Sequence, residues 1–336
     1  MLRWKYSRQA LGVLLAYLAV APLLSFGGLN NAGIQQTAAV AFLYGALALT
    51  YDLLFGFTGL LSFGHALFFA SGMYFTGILM NTHGLSLYLA APIAVAITWV
   101  LATLIGWASL RTSGIAFAMV TLAFGEAGHV LITRTFSTYT NGDNGLSLNA
   151  DLTPDFFLGV LNTKYLYWMA LATLILIYFI IWWITESSAG RVFAALRDNE
   201  VRVNVLGLNP NKFKLFSFAM AGTLAAIVGS VMFVVAGTAT PRFASADVTI
   251  SLLLMVILGG TVSRWGAVLG GIIYSVAATR LTEFTSSTAL DSLPHWIRGP
   301  IGEPSLILGI IFIIIVMYSP GGISGAYYRI RARFIS

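Results

Sequence analysis

Apolar runs of about twenty residues, separated by polar residues or by Gly and Pro, fill the chain from end to end. A bilayer core of about 30 Å is crossed by about 20 apolar residues in helical form. On that measure the pattern predicts ten spans, near 10–27, 33–56, 60–80, 87–110, 113–133, 164–184, 213–236, 248–260, 265–283 and 304–319, the eighth of them short. The expected fold is all-α: one polytopic membrane helical bundle over residues 1–336, with some of its spans interrupted by glycine. Two longer polar connections, 134–163 and 185–212, are the main breaks in the pattern.

Composition removes the soluble alternative. Charged residues make up 9% and hydrophobic ones 58% of the 336 positions, against about 25% charge in a soluble domain. There is too little polar surface for water to be the main solvent. The N-terminal region opens with Arg3, Lys5 and Arg8, then runs apolar from Leu11 to Phe26. It is long for a signal peptide and "LLSFGGLNN" offers no convincing cleavage site, so it reads as a retained first span. The chain has no cysteine, and His65, His83, His129 and His295 lack metal-ligand spacing. No metal centre is expected.

The basic pI, about 9.6, reflects orientation rather than nucleic acid, because Lys and Arg sit at the ends of the apolar runs. With both termini cytoplasmic, alternate crossing places Arg111, residues 185–212, Arg264 and the terminal "YYRIRARF" inside. The 134–163 connection, with Asp143, Asp151, Asp155 and the turn-rich "TYTNGDNGL", falls outside. That parity requires that neither glycine-rich piece, 56–66 or 259–271, turns back within the membrane.

The window from Glu186 to Lys214 holds eight of the thirty formal charges (18 basic, 12 acidic). Ser187 and Ser188 are N-cap residue types, "GRVFAALRDNEVRVNVLG" suits a helix of roughly four turns, and Gly207 is placed to end it before Pro210. Val192, Leu196, Val203 and Leu206 form an apolar stripe, while Arg197, Asp198, Glu200 and Arg202 occupy the rest. An amphipathic helix outside the membrane follows. A loop serving only orientation would need only Lys and Arg; here both signs mix.

Glycines interrupt two apolar regions, at Gly56, Gly59, Gly64 and Gly72 and at Gly259, Gly260, Gly266, Gly270 and Gly271. Small residues allow close helix packing; discontinuous segments in both halves of a transporter also line substrate paths. Glu126 lies within the fifth predicted span, where a charge is costly enough that it should face the bundle interior, a cavity or a partner, or bond to His129. Asp52, near the inner end of the second, pairs with a partner chain or reaches the interface. The candidate pathway set is Asp52, Gly56, Gly59, Ser62, Gly64, Glu126, Gly259 and Gly260.

"GRVFAALRDNEVRVNVLGLNPNKFKLFSFAMAGTLAAIVGS" resembles the cytoplasmic loop and following helix of permease subunits of branched-chain amino acid ABC importers, the LivM type. "YDLLFGFTGLLSFGHALFFASGMY", "SGIAFAMVTLAFGEAGHVL", "NGDNGL", "LLLMVILGGTVSRWGAVLGG" and "MYSPGGISG" match further family blocks in the same order. The resemblance implies an ABC importer permease fold in a prokaryotic inner membrane. It also implies that residues 185–212 carry a coupling helix docking into an ATPase subunit, with Ala195, Glu200 and Gly207 at recurrent positions. Arg197, Asp198 and Arg202 complete the candidate ATPase-coupling set. The implied partners are a second, related permease in a heterodimer, two cytoplasmic ATPase subunits that bind ATP and Mg, and an extracytoplasmic binding protein.

The chain's only lysines, Lys5, Lys164, Lys212 and Lys214, lack the flanks of a P-loop, so energy must enter from a partner and no cofactor is expected in this chain. Three positions depart from the family pattern: Asp52 where asparagine is usual, Ser251 where an acid is common, and Ala267 where proline follows "WG". The implied cargo is a branched-chain or other neutral amino acid. Urea or short amides, carried by permeases with much the same blocks, are the sister reading. An ion-coupled secondary transporter using Asp52 and Glu126, and a scaffold without transport, are readings from other classes.

Overall fold

The computed structural model describes residues 31–159, 162–285, 304–318 and 321–333. The first predicted span, 10–27, lies outside the described residues. The longer helices are α1 (Ala32–Asp52), α2 (His65–His83), α3 (Leu87–Ser109), α4 (Gly114–Val130), α5 (Thr163–Glu186), α6 (Ser188–Asp198), α7 (Glu200–Val205), α8 (Pro210–Ala236), α9 (Ala246–Gly259), α10 (Arg264–Thr285), α11 (Pro304–Tyr318) and α12 (Gly322–Arg333). Wider π turns extend α1 over Leu53–Phe57 and α4 over Leu131–Thr135. Among the described residues, five helical stretches are long and apolar enough to cross a membrane: Ala32–Phe57, Leu87–Ser109, Gly114–Thr135, Thr163–Glu186 and Pro210–Ala236. Ala246–Gly259 is apolar but shorter.

Local chemistry sets the ends of these helices. The Asn209 side chain accepts from the amides of Asn211 and Lys212, and Pro210 takes the first helical position, where its missing N–H costs nothing. The Asn31 carboxamide caps α1 in the same way, accepting from Gly33.

α1 and α8 form the buried centre. α1 packs on α5, α8, α9 and α10, and α8 packs on α2 and α3. Phe68, Phe69, Phe117, Phe218 and Phe233 are fully or almost fully buried between them, with Phe68 and Phe117 both edge-on to Phe218. α3 and α5 turn large apolar side chains outward, among them Trp99, Leu104, Trp107, Phe179 and Trp183. Such a surface suits acyl chains and not water.

The bundle has two chemically distinct ends. One gathers the α1 terminus, Arg111 over the Trp107 ring at 4.2 Å, α6 and α7, the start of α8, and Arg264, which pairs with Glu186 at 2.9 Å. The other gathers a two-residue antiparallel pairing of β1 (Leu146–Ser147) with β2 (Thr238–Ala239), and the bond from the Gln36 amide to the Val235 carbonyl at 2.6 Å. Asp143, Asp151 and Asp155 lie on the connection at that second end.

Three expectations change. The third span, predicted from residue 60, becomes helical only at His65; residues 58–64 are non-helical. The four-turn helix divides into α6 and α7 at Asn199, whose backbone is extended (φ −165°, ψ 104°) and whose side chain accepts from the Arg202 amide at 3.1 Å, capping α7. The apolar stripe shifts as well: Phe193, Leu196 and Val203 are buried, whereas Leu206 is 77% exposed.

Candidate functional site

The site joins two parts, the α6–α7 segment on the basic end and the broken backbone beside it. Phe193, with no exposure, packs its ring 6.2 Å from that of Phe216 and fastens α6 to α8. Gly190 lies so close to the Thr185 carbonyl that any side chain there would overlap it, which allows the sharp turn from α5 into α6. Glu200 pairs with Lys214 at 2.6 Å, tying α7 to α8. Gly207, at φ 82°, ends the element in a backbone conformation that most residues reach only at a cost, as its sequence position predicts.

Of the predicted coupling residues, Ala195, Asp198, Glu200, Arg202 and Gly207 are exposed on the basic end. Arg197 is exposed as well, but it also reaches the bundle: its stem lies against Gly59, its Nη1 donates to the Gly56 carbonyl at 3.1 Å, and its Nη2 lies 3.5 Å from Asp198 Oδ1. Val201, Val205 and Leu206 are 71%, 82% and 77% exposed, an apolar face on a segment otherwise rich in charge.

The second part is the return from α1 to α2. The Thr58 hydroxyl donates to the Leu53 carbonyl at 2.9 Å, closing the π turn, and meets the Ser217 hydroxyl at 2.6 Å. Residues 60–64 then run beside α4, where the Phe63 amide donates to Thr121 Oγ1 at 3.1 Å. Thr121 is seven residues into α4, so at 1.5 Å per residue this backbone sits about 10 Å beyond the helix start. Helix α2 thus begins within the bundle, where its first amides need acceptors. Thr249 of α9 supplies one, accepting from the Ala66 amide at 3.0 Å. His65 Nε2 bonds the buried Thr50 hydroxyl at 3.0 Å, and the Tyr51 hydroxyl donates to the Ser62 carbonyl at 3.1 Å.

Non-helical backbone at this depth is tolerated because other elements satisfy it. Thr121, Thr249, Phe193 and Asn199 were not singled out in the sequence. Hydroxyls inside apolar runs and an Asn between Asp198 and Glu200 were the available signals, but neither reveals its partner.

The glycines divide between packing and turning. Gly64 is pressed against the Thr121 carbonyl and Gly259 against that of Gly266, backbone on backbone. Gly260, at φ 100°, lies against Ser324 and the Gly321 carbonyl. Gly59, at φ 79°, borders an open groove of about 330 Å³ lined by Leu60, Leu61, Phe63, Phe117 and the exposed Ile115 and Met119. Gly56 contacts the Asp52 carboxylate so closely that a methyl group would overlap Oδ1. Asp52 has no exposure, and its Oδ1 accepts from the Val262 amide at 3.1 Å.

Glu126 does not face the interior of this chain. It is exposed on α4, and the expected bond to His129 is absent, because His129 Nδ1 lies 3.1 Å from the Pro241 carbonyl instead. With Met119, Ala123 and Ala127 it forms an outward strip on a helix of spanning character. Ser251, the second departure from the family pattern, has its hydroxyl 3.2 Å from the Tyr274 hydroxyl.

Residues 33–317 match the model of the family described as branched-chain amino acid transport system / permease component. The high-affinity branched-chain amino acid transport system permease protein LivM of Salmonella typhimurium is 26% identical over 332 residues, covering 92% of this chain and 74% of that protein. A probable LivM of Methanocaldococcus jannaschii is 24% identical, covering 84% of this chain and 90% of that one. The ribose import permease protein RbsC of Haemophilus influenzae is 31% identical over a shorter stretch, 37% of this chain and 38% of its own.

Proposed function

Since the chain belongs to the family of branched-chain amino acid transport system permease components, we propose that it is the membrane-spanning subunit of an ATP-driven importer for branched-chain or other neutral amino acids. ATP is hydrolysed in separate subunits. The observation that carries this reading is the α6–α7 segment: it is braced against the bundle by Phe193 and the Glu200–Lys214 pair, yet presents exposed Val201, Val205 and Leu206 among charges. A surface apolar face rimmed by charge is what a protein partner buries, and a braced rod transmits displacement where a free loop does not.

The basic end, with Arg111, Arg202, Lys212 and Arg264, is the cytoplasmic one by the distribution of charge. The substrate route runs past Gly59, Ser62 and Gly64 and along the outward strip of α4 that carries Glu126. An ionised or polar group on that strip is costly against lipid, which supports a second permease subunit opposite it. The open apolar groove beside Gly59, with Leu61, Phe63, Ile115 and Met119, suits an aliphatic side chain once a second subunit covers it. An extracytoplasmic binding protein docks on the opposite, acidic end, around residues 134–163.

Co-reconstitution of this chain with a second permease, ATPase subunits and a binding protein of the same family of importers tests the reading. ATP-dependent uptake of labelled leucine or valine is the expected result. Accumulation by this chain alone, collapsed by an uncoupler, would replace it with ion-coupled transport.

A further inference from the structure

Asp52 and Arg197 stand 145 residues apart on α1 and α6, and between them runs a continuous set of contacts from the exposed segment to the far glycine turn. Arg197 Nη1 donates to the Gly56 carbonyl at 3.1 Å inside the π turn that ends α1. Gly56 rests on Asp52 Oδ1, with no room for a side chain between them. The same Oδ1 accepts from the Val262 amide at 3.1 Å. Val262 is held at φ 64°, a conformation that a β-branched residue adopts only when its surroundings impose it. Next to it, Gly260 lies against Ser324 and Gly321 of the C-terminal segment.

We propose that Arg197 and Asp52 are positioning residues that carry movement of α6 to the turn joining α9 to α10, so that the two glycine-interrupted regions move together. This rests on α6–α7 being the contact with the ATPase. A fully buried carboxylate is costly unless it is well bonded, and here its Oδ1 secures a strained turn while Oδ2 has no partner in this chain. Apolar packing would brace the same helices more cheaply. What the carboxylate adds is a directional bond to one amide, and the guanidinium adds one to the carbonyl a single turn away. Such bonds can be broken and remade between two arrangements. Asp52 is therefore an acceptor fixing the Val262 amide, not a group in contact with cargo.

The test uses the complete assembly in vesicles, with Arg197→Met, Asp52→Leu and Asp52→Asn. Arg197→Met keeps the stem and removes the donor; Asp52→Asn keeps an oxygen for the Val262 amide. Uptake per ATP hydrolysed should fall at least about tenfold in Arg197→Met and Asp52→Leu and stay within about threefold of the unaltered protein in Asp52→Asn. Hydrogen exchange on the same complexes should show faster exchange at Val262 in Arg197→Met, although Arg197 bonds the Gly56 carbonyl and Asp198 rather than Val262, with α3 unchanged. Unaltered exchange at Val262 in that variant overturns the proposal, as does an Asp52→Asn loss as deep as that of Asp52→Leu. If Asp52→Leu does not assemble, the other two variants decide it. If the unaltered complex shows no ATP-driven uptake, the importer reading fails instead, and the exchange measurement still judges the link.

Discussion

The Lys214 ammonium lies 2.6 Å from the Glu200 carboxylate, across the turn that joins α7 to α8. Glu200 is 45% exposed and Lys214 only 12%, so the lysine is the anchored partner and the glutamate the one drawn to it. A pair with one partner at the surface contributes little, on the order of 1 kcal/mol. Its value here is orientation: it fixes the angle at which α7 leaves the bundle. Glu200→Lys should cut ATP-coupled uptake about tenfold, and adding Lys214→Glu should restore most of it. Vesicle uptake measures both. A swap no better than the single change would mean that Glu200 contacts the ATPase directly.

Phe193 and Val205 sit on the same segment with opposite burial, 0% and 82% exposed. Phe193→Ala should destabilise the chain by about 3–5 kcal/mol, through the cavity left against α8. Val205→Asp should change stability by no more than about 0.5 kcal/mol. In co-purification, however, Val205→Asp should release the ATPase subunit. Thermal melts in detergent and subunit yield check the two expectations together. An ATPase retained by Val205→Asp would remove the apolar face from the interface.

Thr249→Val preserves shape but leaves the Ala66 amide without its acceptor at the buried start of α2. The expected cost is about 1–3 kcal/mol. Thr249→Ser should recover most of it. Melting temperature and hydrogen exchange at Ala66 read the difference; equal behaviour of the valine and serine variants would show that the hydroxyl is not needed.

Glu126 is exposed on an apolar helix. If a second permease covers it, Glu126→Leu should leave the isolated chain folded and reduce uptake by the assembled transporter. If it instead faces lipid in the assembly, the same change relieves a cost of about 2.5–3.5 kcal/mol and raises stability with transport intact. Melting of the isolated chain and of the complex, measured side by side, separates the two.

Several features of the site were legible before the fold was known. Gly207 ends α7 as its position before Pro210 predicts, and the spans predicted at 87–110, 164–184 and 213–236 agree with α3, α5 and α8 to within a few residues. Helix formation in apolar runs and chain reversal at Gly and Pro depend on neighbours in sequence. The break at Asn199 escaped because a helical wheel assumes continuity, and with the helix divided, Leu206 no longer falls on the buried side. The cost of Glu126 in hydrocarbon is plain from the sequence, which asks for the bundle interior, a cavity or a partner; which side of α4 it takes depends on packing, and in this chain it is the outer one.

By itself, the sequence determined that this chain crosses a membrane as helices, which end is basic, and where its one long charged segment lies. Those properties follow from the transfer of short stretches between water and lipid, which local composition governs. Only the tertiary structure decided that Thr121 and Thr249 complete the start of α2, that Arg197 reaches the Gly56 carbonyl, and that Asp52 holds an amide 210 positions away. Each of those is a directional bond between distant segments. Its partner is chosen by how the helices pack.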